Sequence, residues 1–302
     1  MKKIGVVVLH FRNLENTKAC LESILKQRTV SDLDVFPIVI DNASDEPFPQ
    51  DEFKSVVVIR NKINKGFTGG MNTGITYVLT RDFDYILTVN NDTIFDKSFL
   101  ENAISYLLTH TNGGIFVPKI YFFPGTEFHY DRYKESERGK VLWFAGGRMD
   151  WENLLPSHRG VDEVDNGQFD NVKDMDFATG CCMIYKKEML KKIGMFDDRY
   201  FLYYEDIDLS FRMQKNGFEL VFMPKAILWH KNAKSAGGAG SKLQDYYTTR
   251  NRLLLGMRYA SFRTKLALIR EGILLVLNGR EWQKKGVVDF FLGKFGRGSF
   301  DI

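Results

Sequence analysis

Apolar runs and helical periods alternate along the first part of the chain. A short, uninterrupted apolar run is typical of a strand that is covered on both faces of a parallel sheet. Such runs occur at 4–9, 35–40, 55–59, 85–89 and 115–117. Apolar residues recur with helical spacing at 17–26, 69–80 and 98–109. This alternation predicts an α/β fold with a mostly parallel central sheet flanked by helices.

The pattern changes in the second half of the chain. At 121–174, aromatic residues, glycines and charges mix without a clear period, which is typical of a substrate-side loop region. The glycine-rich stretch 235–241 predicts a hinge or mobile loop. Predicted strands lie at 177–185, 219–222 and 226–229. Predicted helices lie at 186–193, 204–216, 244–259, 262–277 and 281–292.

Composition excludes several classes of protein. The 302 residues are 44% hydrophobic and 26% charged, which are ordinary values for a globular chain and exclude disordered and fibrous proteins. Three cysteines without a CxxC pair predict neither a disulfide framework nor a structural zinc site, and suit a reducing cytoplasm. No apolar run is long enough to cross a bilayer, and the run at 4–9 is too short for a signal peptide.

Charge is unevenly distributed along the chain. The net charge is +4, but residues 242–302 contain 12 basic and 5 acidic side chains, so the first 241 residues carry −3. A basic tail on a near-neutral body predicts an anionic partner for the tail, either nucleic acid or an anionic membrane. The first 241 residues offer no basic groove and no nucleic-acid-binding motif, so we expect no nucleic-acid partner.

Polar residues follow three predicted strands, at the strand ends where an open parallel sheet binds its ligands. They are residues 10–13, the segment that begins at Asp41, and residues 90–93. A carboxylate at Asp41 could accept hydrogen bonds from a nucleobase or ribose, and one at Asp92 could hold a divalent cation. Because Asp, Asn and Ser are also turn formers, a plain polar turn remains an alternative at both places.

A glycine-rich segment, 64–74, opens a predicted helix. Exposed backbone N–H groups there could bind a phosphate or a sugar. The spacing is neither the dinucleotide GxGxxG pattern nor a P-loop. Close packing of the helix on a strand is an equally good explanation of the glycines.

Three carboxylates, Glu205, Asp206 and Asp208, begin another predicted helix behind a run of aromatic residues. The helix dipole favours acids in a first turn, but three acids exceed what capping requires, and sugars stack on aromatic rings. We therefore favour a functional role, with ionised Asp206 as a base. His230 follows a short strand, and it gains a metal-binding interpretation only if Asp92 lies nearby.

Six segments in this order make the chain resemble family-2 glycosyltransferases of the GT-A fold, in particular the bacterial rhamnosyltransferase-like and galactofuranosyltransferase-like branch. The segments are VVVLHFRN, VIDNASD, NKGFTGGMNTG, NNDT, GCCMI and YYEDIDLSFRMQKNGF…WH. The resemblance runs from Ile4 to about His230 and continues weakly through 246–251. It implies a GT-A catalytic domain at 1–235, with a nucleotide-binding half at about 1–118 and an acceptor-side half at about 119–235. A basic amphipathic helical extension would follow at 236–302.

The resemblance also implies roles for individual residues. Asp206 would be the catalytic base, beside Glu205, while Asp92 and His230 would hold Mn²⁺ or Mg²⁺. Asn90 stands at the first acidic position of the DxD-type element, which implies that the donor's diphosphate supplies much of the metal binding. The expected donor-binding residues are His10, Arg12, Asp41, Asn64, Gly69, Gly70, Asn72, Asn90 and Asn91. The expected acceptor-side residues are Trp143, Gly146, Gly147, Tyr203 and Tyr204.

The function implied is metal-dependent, inverting transfer of a sugar from a nucleoside diphosphate to a hydroxyl of a growing, lipid-linked cell-surface polysaccharide. The first expectation for the donor is dTDP-rhamnose. UDP-galactofuranose, another UDP-hexose, or a non-catalytic sugar-nucleotide or glycan-binding role are the alternatives. We expect a cytoplasmic protein whose basic tail contacts the inner face of the plasma membrane. Packing of the tail on the catalytic domain, or on a second subunit in a homodimer, remains open.

Overall fold

A computed structural model describes residues 1–28, 30, 32–172, 174–231 and 240–300. The predicted hinge at 235–241 lies almost wholly outside these residues. The helices are α1 (Leu14–Leu25), α2 (Gly66–Leu79), α3 (Phe99–Thr109), α4 (Lys187–Ile193), α5 (Glu205–Lys215), α6 (Lys242–Tyr259), α7 (Phe262–Asn278) and α8 (Glu281–Phe291). The strands are β1 (Lys2–His10), β2 (Leu33–Asp41), β3 (Val57–Arg60), β4 (Tyr85–Asn90), β5 (Thr93–Phe95), β6 (Gly113–Phe122), β7 (Leu142–Phe144), β8 (Gly147–Asp150), β9 (Leu155–His158), β10 (Cys182–Lys186) and β11 (Glu219–His230).

Nine of the described strands form one mixed sheet in the order β3-β2-β1-β4-β10-β6-β11-β5, with β7 beside β6. Strands β1 to β4, β6 and β11 run in one direction, whereas β5, β7 and β10 run against it. The expectation of a mostly parallel sheet is therefore confirmed. Because β1 lies between β2 and β4, the chain reverses its winding between β1 and β4, and such a point opens a crevice at the strand ends.

Strands β6 and β11 are longer than the three strands predicted in these parts of the chain. Strand β6 extends to Phe122 because Lys119, which interrupts its apolar pattern, is buried against Asp165 at 2.7 Å. The two strands predicted at 219–222 and 226–229 are one strand, β11, with an irregularity between Met223 and Ile227. Pro224 lies at this irregularity and lacks the N–H that a regular ladder needs.

Strand β10 begins later than predicted, at Cys182. The residues before it leave the ladder, and the N–H of Gly180 instead donates to Asp206 Oδ2 at 2.8 Å. Strand β5 is only three residues long, and the sequence analysis treated it as part of a polar turn. Both deviations lie beside the candidate site.

The region 121–174 is more regular than its sequence suggests. It contributes the end of β6, then β7, and then the two-stranded antiparallel ribbon of β8 and β9. Trp143, Phe144 and His158 pack together at its base, with ring centroids of Trp143 and His158 4.5 Å apart. This aromatic packing holds the ribbon against the end of β11.

Helix α2 packs very closely on the parallel strands. A Cβ atom added to Gly74 would lie 2.2 Å from Val7 Cγ1 and 3.0 Å from Ile40 Cγ1. A Cβ added to Gly70 would lie 2.5 Å from Leu9 Cδ1. The glycines at these positions allow the helix to approach the sheet, which brings its N-terminus to the carboxyl ends of the strands.

The C-terminal helices pack on the rest of the protein. Asp208 is fully buried and accepts hydrogen bonds from Arg212 of its own helix at 2.8 Å, from Arg258 at 2.7 Å and from Tyr259 at 2.8 Å. This carboxylate therefore ties α6 to α5, which gives the third acid of the cluster at 205–208 a structural role. Among the described residues, no helix is long and apolar enough to cross a membrane.

We predict that Gly74→Ala destabilises the protein by about 1–3 kcal/mol, since the added methyl overpacks the contact between α2 and β1. Gly272→Ala is the matched control within a helix. Its Cβ would lie 3.4 Å from the nearest atom, an ordinary contact, so this change should be neutral or stabilising by up to about 1 kcal/mol. Urea unfolding of both variants measures the difference, and a Gly74→Ala variant as stable as wild type contradicts this view of the packing.

Candidate active site

A cavity of about 210 Å³ lies at the carboxyl ends of β1 and β4, where the sheet reverses its winding. Its wall is rich in asparagine, with neutral amide donors and acceptors, and has apolar side chains at one side. The lining residues are Leu9, Phe11, Asn13, Asn16, Asn42, Asn64, Gly66, Phe67, Asn90, Asn91, Asp92, Phe201, Leu202 and Leu243. Four predicted site residues are among them: Asn64, Asn90, Asn91 and Asp92.

Asp92 and His230 face each other beside this cavity. Strand β5 pairs antiparallel with β11, so that Thr93 lies opposite His230, and this register brings the preceding Asp92 to the end of β11. The Nε2 atom of His230 lies 3.2 Å from Oδ1 of Asp92, and both side chains are largely buried. The condition set by the sequence analysis, that Asp92 lie near His230, is met.

This pair fits a divalent cation. Two ligands that each lie about 2.1 Å from one cation, at roughly a right angle, are about 3 Å apart, as these two atoms are. Within the described chain, the buried Nδ1 of His230 has no hydrogen-bond partner. No group of three or more His, Cys, Asp or Glu side chains suited to a metal occurs among the described residues. Asp92 and His230 could therefore supply two ligands, and the remaining ones would have to come from the substrate and from water.

The predicted acceptor-side residue Trp143 lies beside this pair. Its ring meets the His230 ring edge to face, with centroids 4.5 Å apart. On its other side lies His158, whose pKa is lowered to about 4 by burial, so that this ring is neutral at ordinary pH. Gly146 precedes β8 with φ of 108°, and Gly147 is its first residue.

Asn42 organises the cavity wall, although the sequence analysis did not select it. Its Nδ2 donates to Asn64 Oδ1 at 3.0 Å and to the Gly66 carbonyl at 2.9 Å. Its Oδ1 accepts from Asn61 Nδ2 at 3.0 Å and from the Lys65 N–H at 3.1 Å. One amide therefore fixes the loop that leads into α2. Its position directly after Asp41, at the end of β2, was the available signal.

Asp41 itself faces the protein and does not line the cavity. Its carboxylate is 1% exposed and accepts from the N–H groups of Ser44 at 2.9 Å and Phe48 at 3.1 Å, and from the Arg60 guanidinium. These bonds hold the turn after β2, the alternative that the sequence analysis left open. The proposed contact of Asp41 with a nucleotide stays a prediction.

His10 and Arg12 flank the cavity but are not part of its wall. Burial lowers the pKa of His10, whose Nδ1 forms a 2.7 Å hydrogen bond with Thr17. Arg12 has a left-handed backbone (φ 66°) and is exposed. Its N–H donates to Ser44 Oγ at 3.0 Å, which joins the ends of β1 and β2.

The glycine-rich segment divides between two uses. Gly66 and Phe67 line the cavity at the N-terminus of α2. Gly69 and Gly70 instead serve packing, against Lys65 and against β1 respectively. Neither glycine lines the cavity, so no contact with the cavity supports their predicted role in donor binding.

Asn72 is also turned away from the cavity. Its Nδ2 donates to the Phe196 carbonyl at 2.9 Å and to Asp198 Oδ1 at 2.8 Å, and its Oδ1 accepts from the Phe196 N–H at 3.1 Å. Through these bonds α2 holds the segment that leads to α5.

Glu205 and Asp206 form an acid pair at the start of α5, in which Glu205 is buried and Asp206 is partly buried. Asp206 accepts hydrogen bonds from the N–H of Gly180 and from the N–H of Ile207, each at 2.8 Å, whereas the buried Oε2 of Glu205 has no partner among the described residues. Burial raises the pKa of both acids, and the neighbouring negative charge raises that of Glu205 further. Because the two N–H donors favour an ionised Asp206, we infer that Glu205 holds the proton of the pair.

A short turn connects this acid pair to the cavity. The Cys181 carbonyl accepts from the N–H of Asn90 at 2.9 Å, while the preceding Gly180 donates to Asp206. An added Cβ on Gly180 would lie 3.2 Å from Phe67 Cζ and 3.5 Å from Asp206 Cβ. Gly180 therefore lies between Asp206 and Phe67, a residue of the cavity wall.

The aromatic segment before α5 has a strained backbone. Phe201, Tyr203 and Tyr204 have φ values of 65°, 70° and 72°. A non-glycine residue in this region costs about 1–3 kcal/mol, so the surrounding structure must hold each one in place. Phe201 and Leu202 line the cavity, and Tyr204 immediately precedes the acid pair.

The sequence analysis missed several parts of the cavity wall. Asn13 lies in the polar segment 10–13 that the sequence analysis noted, but it was given no role there. It is the N-cap of α1, and its side chain accepts from the N–H of Asn16 at 3.0 Å. Asn16 was missed, although its place three residues after this segment could have revealed it. Leu243, from α6, could not be found in this way because only the packing of the C-terminal helices brings it to the cavity.

The fold and the site define an α/β protein with a cleft at the switch point of its sheet, a candidate two-ligand cation site, and an acid pair with raised pKa values. The family model described as "Glycosyl transferase family 2" matches residues 5–194. The chain belongs to this family, and the resemblance seen in its sequence is confirmed.

Two curated relatives show which kinds of transferase the chain is similar to. The chain is 24% identical over 219 residues to the low-salt glycan biosynthesis hexosyltransferase Agl10 of Haloferax volcanii, which covers 72% of this chain and 66% of that protein. It is 35% identical over 86 residues to N-acetylglucosaminyl-diphospho-decaprenol L-rhamnosyltransferase of Mycobacterium tuberculosis, covering 28% of this chain and 24% of that protein. The chain thus spans less than two thirds of each relative. Both are consistent with the rhamnosyltransferase-like branch.

A solved structure supports the fold. GalNAc-T7, solved with UDP, GalNAc and Mn²⁺, superposes with a TM-score of 0.58 at 13% sequence identity. The match covers 90% of this chain and 54% of that chain. Together with the family match, it confirms the predicted GT-A fold.

We predict that Glu205→Gln stabilises the protein above neutral pH. At a pH below the pKa of glutamic acid in the unfolded chain, Glu205 is protonated in both the folded and the unfolded state, so the substitution does not raise the free energy of unfolding. As pH rises, the unfolded state ionises first, and wild type loses about 1.4 kcal/mol for each unit by which folding raises the Glu205 pKa. The expected gain therefore grows with pH until it levels off above the folded pKa.

Urea unfolding of wild type and Glu205→Gln between pH 4.5 and pH 9 measures this gain. Glu152→Gln, at an exposed position, is the control and should change stability little at any pH. A Glu205→Gln variant that is less stable than wild type at high pH would show that the buried carboxyl is ionised and well paired.

Proposed function

We propose that this glycosyltransferase is a metal-dependent, inverting hexosyltransferase that acts on a growing cell-surface polysaccharide. The observation that carries the proposal is the position of the acid pair. The Asp206 carboxylate is held by two N–H donors, and one of these donors, Gly180, also packs against Phe67 of the cavity wall. The same wall includes Asp92, which faces His230. A non-catalytic binding protein has no need of an acid pair with raised pKa values, so the pair favours an enzyme.

The chain's own residues account for the steps of a single displacement. Asp206 takes the proton of the acceptor hydroxyl while that oxygen forms a bond to C1 of the donor sugar. The bond from C1 to the diphosphate breaks on the opposite face, so the anomeric centre inverts. Asp92 and His230 would hold Mn²⁺ or Mg²⁺, which would neutralise the leaving diphosphate.

For the donor, we propose dTDP-rhamnose first and UDP-galactofuranose or another UDP-hexose as the alternative. The mycobacterial relative is an L-rhamnosyltransferase and the archaeal one a hexosyltransferase, which supports hexosyl transfer in general. The name of the mycobacterial relative also includes a diphospho-decaprenol acceptor, which supports a lipid-linked acceptor here.

We predict that Asp206→Asn lowers kcat by about 10²–10⁴-fold, because the amide cannot take the proton of the acceptor. Binding of UDP or dTDP should persist. Transfer assays with dTDP-rhamnose and UDP-hexoses measure the first effect. Thermal shift with each nucleoside diphosphate, with and without Mn²⁺, measures the second, since ligand at 100 times its Kd stabilises by about 2.7 kcal/mol.

Asp92→Ala is the second variant in this test, and it removes the carboxylate of the candidate cation site. It should abolish the Mn²⁺-dependent part of the nucleotide stabilisation. An Asp206→Asn variant that transfers sugar at the wild-type rate would refute the assignment of the base. Absence of stabilisation by any nucleoside diphosphate would refute the donor class.

We also propose that α7 contacts an anionic membrane, which would place the enzyme at the inner face of the plasma membrane. Phe262, Leu266, Ile273 and Leu277 lie at helical spacing on one face of α7 and are 77%, 52%, 54% and 64% exposed. Arg263 and Arg270, both exposed, flank this stripe. Apolar side chains bordered by basic ones are what an amphipathic helix presents to anionic lipid.

We predict that the full chain floats with vesicles containing anionic lipid and not with zwitterionic vesicles. Leu266→Glu together with Ile273→Glu should abolish flotation, whereas Leu108→Glu, an exposed apolar position on α3, should not. The proposal is contradicted if the double variant still binds vesicles. It is also contradicted if light scattering shows that the wild-type protein is a stable dimer and that the double variant is a monomer.

A further inference from the structure

The strained segment before the acid pair, residues 200–204, is held by helix α6. Three residues of that helix, Tyr247, Arg250 and Asn251, have the spacing that places them on one helix face, and all three are fully buried. The Tyr247 ring stacks on the Phe201 ring, with centroids 5.2 Å apart and planes 14° apart.

The side-chain amide of Asn251 contacts three residues of this segment. Its Nδ2 donates to the carbonyls of Tyr200 at 2.9 Å, Leu202 at 2.8 Å and Tyr203 at 2.9 Å. Its Oδ1 accepts from Arg250 Nε at 3.0 Å, so the orientation of the amide is fixed with its donors toward the segment. One side chain thus binds three carbonyls in a stretch of four residues that contains two of the left-handed ones.

Arg250 extends this attachment in both directions. One terminal nitrogen donates to the carbonyls of Arg199 at 3.1 Å and Tyr200 at 2.9 Å. The other donates to the Gly296 carbonyl at 2.8 Å, in the segment after α8. The same guanidinium therefore joins the C-terminal segment to the chain that leads into α5.

We propose that Asn251 and Arg250 are positioning residues, which hold the strained segment so that Asp206 meets the Gly180 N–H and faces the cleft. This inference rests on the proposed function, since it assigns Asp206 as the base. It makes α6 a part of the catalytic unit, although the sequence analysis placed this helix in a separate extension. Within the segment, the Leu202 N–H donates to the Tyr200 carbonyl at 2.8 Å, and the Thr68 N–H of α2 donates to the Phe201 carbonyl at 3.2 Å. Asn251 adds side-chain donors from α6 for the carbonyls of Leu202 and Tyr203.

The experiment compares full-length Asn251→Asp with wild type. This change keeps the side-chain volume but replaces the amide donors by a carboxylate oxygen that faces carbonyl oxygens. We expect kcat for sugar transfer to fall at least tenfold, while the Kd for the nucleoside diphosphate with Mn²⁺ changes less than threefold. Hydrogen exchange of a peptide that spans 199–208 should become faster.

Arg250→Lys is the second variant, used in case Asn251→Asp does not fold. It keeps the charge but loses the forked geometry, and it should shift kcat and hydrogen exchange in the same direction. Arg252→Ala is the matched control on the same helix. The Arg252 guanidinium binds the Asn153 carbonyl and the Glu271 carboxylate, so its loss should leave kcat and the exchange of 199–208 unchanged.

The outcomes separate this proposal from the proposed function. Faster exchange with unchanged kcat shows that α6 holds the segment without positioning the base, and overturns the proposal. Unchanged exchange also overturns it. If the wild-type protein transfers no sugar from any donor, the proposed function is wrong. The positioning role is then wrong as well, even if hydrogen exchange shows that α6 holds the segment.

Discussion

The short pairing of β5 with the end of β11 brings together the two residues of the candidate cation site. Thr93 lies opposite His230 in that pairing, and the register brings Asp92 Oδ1 to 3.2 Å from His230 Nε2. The two residues are 138 positions apart in the sequence, and neither alone makes a metal site. Because side chains alternate between the faces of a strand, a slip of one residue would separate them. The ring of Trp143 then packs on His230 and completes the environment of the pair.

The cleft depends on how closely α2 approaches the sheet. Gly70 and Gly74 remove the side chains that would hold the helix away from β1. The helix N-terminus then reaches the strand ends, where Asn42 binds the loop that precedes it. The sequence analysis treated close packing and a place at the binding site as alternatives, but the segment both packs on the sheet, through Gly69 and Gly70, and lines the cleft, through Gly66 and Phe67.

Strain and buried charge are concentrated in one segment. Left-handed residues precede α5, and the acid pair that follows, a buried Glu205 and a partly buried Asp206, has raised pKa values. Each feature lowers stability by itself, so both need support from elsewhere in the fold. The support comes from α6, through Asn251 and Arg250 on one side of the segment and through the bond between Arg258 and Asp208 on the other.

The sequence by itself determined most of the strands and helices outside 121–174, the mostly parallel sheet, the family, and the strand ends at which Asn90, Asn91 and Asp92 lie. Local patterns carry this information, because burial on two faces and helical spacing are written in consecutive residues. Only the tertiary structure decided that Asp41 faces its own turn, that Asp208 binds α6, and that Leu243 reaches the cleft. A carboxylate has the same chemistry in a turn, an ion pair or a cleft, and its use depends on which distant donors the packing places around it.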